Sequence, residues 1–200
     1  MNTLIKNTFF GALIVLALAM IYTGSYLPWA KSTRYISANR SMSSVKTFAD
    51  FENNYDRPLK FYSPIGQEEV TKFLSGDILG LIAQNKQPEE VDRALVEYIE
   101  PYAFQNNVRH MIVMGQMYLS LAKQFGRPEY MKKAEDYYLK ARAIGPKLPP
   151  VLYGLLTIYQ AEGDQVKFTE VAQTILSLWP NDSNLSAFMK LLESKPAQAK

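Results

Sequence analysis

The 200-residue chain has no cysteine and a single histidine. Without cysteine there are no disulfide staples and no thiolate metal ligands, and neither side of a membrane is favoured on redox grounds. His110 lacks partners at the spacing that a metal site or a nucleophile–base pair demands, and reads as a surface or lightly packed side chain. No Gly-rich phosphate loop, GxSxG elbow or HExxH helix occurs. An excess of one charge sign is missing too. The 22 Lys and Arg against 19 Asp and Glu leave +3 at pH 7, with no basic arm. Nucleic acid is therefore not an expected partner, and Lys132-Lys133 reads as a solvated helix face. Sustained period-two alternation is also absent, which removes a sheet architecture and leaves an all-α body. These absences give the expectation of a protein that is not an enzyme and uses no cofactor or metal.

One stretch lacks charge altogether. Between Lys6 and Lys31 lie 24 uncharged positions, centred on "FFGALIVLALAMIY". A bilayer core takes about 20 apolar helical residues, and Thr8 to Leu27 supplies them, so residues 8–27 are the expected membrane contact. Tyr22, Tyr26 and Trp29 cluster at the far end, where amphipathic rings favour the headgroup layer. The competing reading is a cleavable signal peptide, with Lys6 in its n-region and small Thr23 and Ser25 near a cleavage site. The length of the charge-free span favours a retained anchor. Lys31, Arg34 and Arg40 follow the span and lean towards a cytoplasmic body by charge count.

Beyond the anchor the spacing predicts a mostly helical stretch from Ala30 to Tyr55. Val45, Phe48, Glu52 and Tyr55 share a face there, with Ser43-Ser44 as cap. "DRPLKFYSPIG" breaks it through two prolines. A helix then starts after Gly66, with Glu68 and Glu69 as water-facing first-turn acids. Further helices are expected at Glu89–Tyr98, Asn106–Phe125, Pro128–Ile144, Pro149–Glu162, Gln165–Trp179 and Asn184–Glu193. Met111, Met114 and Met117 fall on one helix face and read as core rather than a metal-binding stripe. The resulting division is an anchor at 1–30, a juxtamembrane helix and linker at 31–65, a helical repeat domain at 66–194 and a disordered tail at 195–200.

The repeat emerges by counting. Met111, Met114, Gly115 and Tyr118 each lie 41 positions before Leu152, Leu155, Leu156 and Tyr159. Ala134, Tyr138, Ala141 and Pro146 each lie 34 before Phe168, Ala172, Ile175 and Pro180. One hairpin thus carries seven extra residues, around "AKQFGRPEY". "MGQMY…AEDYYLKARAIGP" and "VLYGLLTIYQAEGD…FTEVAQTILSLWP" resemble the tetratricopeptide repeat, over about 108–182. Phe168 and Ala172 depart from it by exchanging a small and a large position, a swap that conserves packed volume. Gln67–Ala103 is recognisable only as a hairpin. The resemblance implies an α-solenoid after the transmembrane helix, and the helix from Asn184 would cap it through Leu185, Phe188, Met189 and Leu192.

In such repeats the first helix of each hairpin lines a concave groove that receives a peptide or partner helix. Carried onto this chain, the groove positions are Arg109, Ile112, Gln116 and Ser120, then Tyr153, Thr157 and Gln160. The competing reading of these residues is an ordinary exposed face on a spacer. A broader resemblance joins the span, "LPWAKSTRYISANRS", "FADFENNY" and "YSPIGQEEVTKFL" to the C-terminal tail of O-antigen polymerase/ligase-like membrane proteins. It implies an extracytoplasmic body, overriding the charge count, and a polysaccharide-assembly membrane protein as a further partner. The expectation is a cell-membrane, single-pass scaffold for protein–protein interaction in a bacterial envelope. The alternative is an accessory or split-off tail of such a polysaccharide system.

Overall fold

A computed structural model of the chain describes residues 3–194. The tail expected at 195–200 lies outside the described residues. All regular structure among the described residues is helical, with no strand. The described residues form two compact units, one ending at Asp77 and the other beginning at Ile78, a boundary that falls inside one helix.

In the first unit, α1 (Thr3–Ile21) passes through a π-turn at Tyr22–Tyr26 into α2 (Leu27–Arg40). This is one helix long and apolar enough to cross a membrane. Every α1 residue from 7 to 21 is exposed, so no face of it is buried against the protein. α2 differs. Leu27, Ala30, Lys31 and Ala38 share one face by helical spacing and are buried.

α3 (Phe48–Leu59) packs on α2 in the opposite sense. Asn54 Nδ2 donates to the Ala38 carbonyl at 2.8 Å, the Tyr35 and Tyr55 rings lie 6.3 Å apart, and Lys31 Nζ donates to the Phe61 carbonyl at 2.6 Å. The mostly helical stretch expected from Ala30 to Tyr55 is two helices, separated at Ser41–Thr47. Ser44 sits in a short 3-10 turn (Met42–Ser44), and the cap is Thr47 instead. Its hydroxyl accepts from the Asp50 N–H at 3.1 Å while Asp50 Oδ2 accepts from the Thr47 N–H at 3.0 Å, a reciprocal box. Pro58 does not stop α3. It lies in the last turn, and the helix closes one residue later at Leu59.

α4 (Gln67–Ala83) starts after Gly66, and Glu68 and Glu69 are exposed as expected. The second unit holds the end of α4, then α5 (Glu89–Ile99), α6 (Val108–Phe125), α7 (Pro128–Ile144), α8 (Pro149–Glu162), α9 (Gln165–Leu178) and α10 (Ser183–Ser194). Local chemistry sets these ends. The Asn107 side chain accepts from the Arg109 N–H at 2.9 Å, and Gly126 takes a left-handed φ of 67° to end α6. Prolines open α7 and α8, where the missing N–H costs nothing. Gly163 ends α8 at φ 73°, and the Asp164 side chain caps α9 through the Lys167 N–H.

α5 packs on α6, α6 pairs with α7, and both α6 and α7 pack on α8. α8 pairs with α9, and α9 with α10. The shared core holds Met111, Met114, Met117, Tyr118 and Leu121 of α6, with Ala134, Tyr138 and Ala141 of α7. Val151, Leu152, Leu155 and Ile158 of α8 join Phe168, Ala172 and Ile175 of α9. Each large apolar side chain buried so contributes about 1.5–3 kcal/mol. α10 buries Leu185 and Met189 and sets Phe188 edge-on to Phe168 at 5.5 Å.

His110 is a correction to the surface reading. It is buried, its Nδ1 accepts from the Phe104 N–H at 3.1 Å, and its ring meets Phe104 edge-on.

Candidate functional site

Two polar clusters recur along the second unit. In the first, Glu100 receives the hydroxyls of Tyr118 (2.7 Å) and Tyr137 (2.6 Å). Lys133 Nζ lies 3.5 Å from Glu100, donates to the Tyr118 oxygen at 2.9 Å and sits 4.6 Å from the Tyr118 ring centre. In the second, Lys167 Nζ lies 3.0 Å from Glu135 and 5.0 Å from the Tyr159 ring centre. Tyr159 follows Tyr118 by 41 positions, Lys167 follows Lys133 by 34, and Glu135 follows Glu100 by 35. The same triad of tyrosine, lysine and preceding carboxylate therefore ties each of two successive hairpins to what comes before it.

The electrostatics agree with the geometry. Burial opposes the charge on Glu100, and the two tyrosine hydroxyls with the Lys133 ammonium outweigh it, holding the carboxyl below its ordinary value. Tyr118 and Tyr137 are pushed up, first by burial and then by Glu100. Tyrosines locked as neutral donors to a structural carboxylate are fasteners. Lys133, expected as a purely solvated charge, is half-exposed and belongs to this fastening.

The open surface lies elsewhere. A cleft of about 400 Å³ runs between α8 and α10, with Phe168 of α9 at its floor. Leu156, Leu185 and Phe188 complete the apolar floor, and Tyr153, Gln160, Asp182 and Asn184 supply the polar rim. The Tyr153 hydroxyl donates to Asp182 Oδ2, and Asp182 Oδ1 accepts from the Leu185 N–H at 3.0 Å. The Leu185 N–H first, then the Tyr153 hydroxyl and the Asn184 N–H, hold Asp182 below the usual carboxylate range. The rim keeps the Gln160 and Asn184 amides as donors and acceptors, a set that fits a peptide backbone.

Of the expected groove residues, Tyr153 and Gln160 line this cleft and both are exposed. Thr157 is half-buried one turn away, its hydroxyl donating to the Tyr153 carbonyl at 2.8 Å. Arg109 is exposed in the first turn of α6, and Ile112, Gln116 and Ser120 follow it half-buried. These four lie outside the cleft. The α10 contribution is not among the sequence-derived groove positions, which come from α6 and α8 alone. Asp182 opens α10 as a helix cap, and the polar residues just ahead of its apolar face were the available signal.

Asp92 was missed as well. It is fully buried in α5, and neither carboxylate oxygen has a hydrogen-bond partner. Burial pushes this carboxyl up to about 6. Among the described residues, no three His, Asp or Glu side chains gather closely enough to hold a metal ion. Comparison with family models, with curated proteins and with solved structures returned no match to this chain.

Proposed function

We propose that the protein is a membrane-anchored scaffold of tetratricopeptide-like hairpins that holds a peptide or partner helix in the cell envelope. The observation that carries this reading is the open cleft between α8 and α10. Its apolar floor of Leu156, Phe168, Leu185 and Phe188, rimmed by Tyr153, Gln160 and Asn184, has the anatomy of a small protein-recognition patch. The repeated triads support the tandem-hairpin reading, since equivalent residues meet at two successive junctions. The exposed apolar surface of α1 supports an anchor at residues 8–27, which would confine the cleft to the bilayer and raise the effective concentration of its ligand.

The test is a pull-down from detergent-solubilised membranes, comparing wild type with Tyr153→Ala/Gln160→Ala and with Arg109→Ala. A protein retained by wild type and by Arg109→Ala, and lost by the double variant, is expected. An unchanged set of retained proteins in the double variant would remove the cleft from the account.

A further inference from the structure

We propose that residues 60–66 form a second membrane contact, with Tyr62 and Ile65 seated in the headgroup layer beside the anchor helix. The proposal rests on the reading of residues 8–27 as a membrane span, and adds to it a lipid-facing surface on a separate segment.

For a helix along the bilayer normal, a rise of about 1.5 Å per residue puts Lys31 ~6 Å beyond Leu27, where the apolar span ends. The headgroup layer on each side of the hydrocarbon is roughly 5–7 Å deep. α2 climbs on to Arg40, about 20 Å above Leu27, and α3 runs back down beside it. The chain that leaves α3 therefore returns to the level of the lipid.

Specific contacts hold it there. Lys31 is 1% exposed, and its ammonium donates to the Phe61 carbonyl at 2.6 Å. The Arg34 guanidinium lies 3.9 Å from the centre of the Phe61 ring. Gly66 takes a left-handed φ of 95°, and a Cβ there would stand in ordinary contact with Lys31 Cδ, at 3.6 Å. Within the loop, the Ser63 hydroxyl donates to the Ile65 carbonyl at 2.6 Å, and Pro64 stiffens the turn.

With Phe61 held to α2, Tyr62 and Ile65 stand out from the loop. Tyr62 is 74% exposed and Ile65 58%, against the general cost of leaving large apolar groups in water. Trp29, 63% exposed and two residues beyond Leu27, lies at a similar level, after the Tyr22–Tyr26 stack. Tyrosine and tryptophan favour this layer because one end is apolar and the other hydrogen-bonds. Two separate segments in the interface would fix the tilt and rotation of the anchor, which a lone span leaves free.

The absence of cysteine makes the test direct. Spin labels are placed on single-cysteine variants of the full chain, Leu16→Cys, Lys46→Cys, Tyr62→Cys and Ile65→Cys. Each is reconstituted into phosphatidylcholine–phosphatidylglycerol vesicles, and collisions with oxygen and with a water-soluble nickel chelate are measured. All four positions are exposed, so labelling leaves the core intact. The expected pattern is a label at 16 that sees oxygen and excludes nickel, and one at 46 that is open to nickel. Labels at 62 and 65 should show nickel access several-fold below that at 46, with oxygen access retained. Nickel access at 62 and 65 equal to that at 46, with 16 still shielded, overturns the loop contact alone. Shielding of 62 and 65 from both reagents points to a protein cover and also overturns it. Nickel access at 16 overturns the span itself.

Discussion

The Tyr138 ring on α7 fills the space where a side chain on Gly154 of α8 would begin. Its opposite edge lies against Gly115 of α6, where an added Cβ would stand 2.9 Å from Tyr138 Cδ2. Two glycines on neighbouring helices thus admit one buried aromatic ring, and three helices meet through it. Gly154→Ala should lower stability by about 1–3 kcal/mol through overpacking, even though alanine gains roughly 1 kcal/mol of helix propensity. Gly80→Ala in α4 is the control, since nothing lies within 4 Å of its Cβ position. It should raise stability by about 0.5–1 kcal/mol. Thermal unfolding followed by circular dichroism reads both.

Glu100→Gln keeps the shape of the first fastener and removes its charge. The Tyr118 and Tyr137 hydroxyls and Lys133 then lose an ionised acceptor, at a cost of about 1–3 kcal/mol. The folded carboxyl is held below its unfolded value of 4.5, so this stability is present above that value and lost as pH falls through the folded one. The gap between wild type and Glu100→Gln should therefore be widest near neutrality and close in acid. Chemical denaturation at a series of pH values measures it.

Asp92 gives the opposite sign. Its folded carboxyl is raised to about 6 from 3.8, so burial is harmless below the unfolded value, costs progressively more between the two, and costs its full amount above about 6. That amount is on the order of 2–3 kcal/mol. Asp92→Asn should be the more stable protein near pH 8, and the advantage should vanish by about pH 4. Unfolding midpoints of the two proteins across this range decide the matter.

Truncation before Ser183 removes the Leu185 and Met189 cover and the Phe188 contact with Phe168. Burying Leu185 and Met189 is worth about 1.5–3 kcal/mol each, and half-buried Phe188 adds less. The shortened protein should unfold at lower temperature and scatter light at concentrations where the full chain does not.

Legibility followed the range of the interaction. Helix ends set by a local proline or glycine were readable: α7 opens at Pro128, α8 at Pro149, and Gly163 closes α8. The Thr47 cap was equally local, since Thr47 and Asp50 stand at the spacing of a capping box, but the Ser43-Ser44 pair drew the assignment away. Asp92 stands three, four and seven positions before Leu95, Val96 and Ile99, so its place on the buried face of α5 could have been counted. A first-turn acid is ordinarily solvated, so a carboxylate at that position does not by itself signal burial. The fasteners needed more than local pattern, because Glu100, Tyr118 and Lys133 come from three separate elements. Only their recurrence at Glu135, Tyr159 and Lys167 makes them visible in the sequence. The α10 half of the cleft was hidden for a related reason, since its rim depends on how α10 settles on α9.

The central claim is that the cleft between α8 and α10 holds a protein segment, and site-specific photo-cross-linking in intact membranes tests it most directly. A photoreactive residue replaces Gln160 in the cleft rim, or Val166 on the exposed outside of α9. The expected result is a discrete adduct from position 160 that Tyr153→Ala abolishes, with none from position 166. Equal labelling from both positions, or an adduct at 160 indifferent to Tyr153, would contradict the claim.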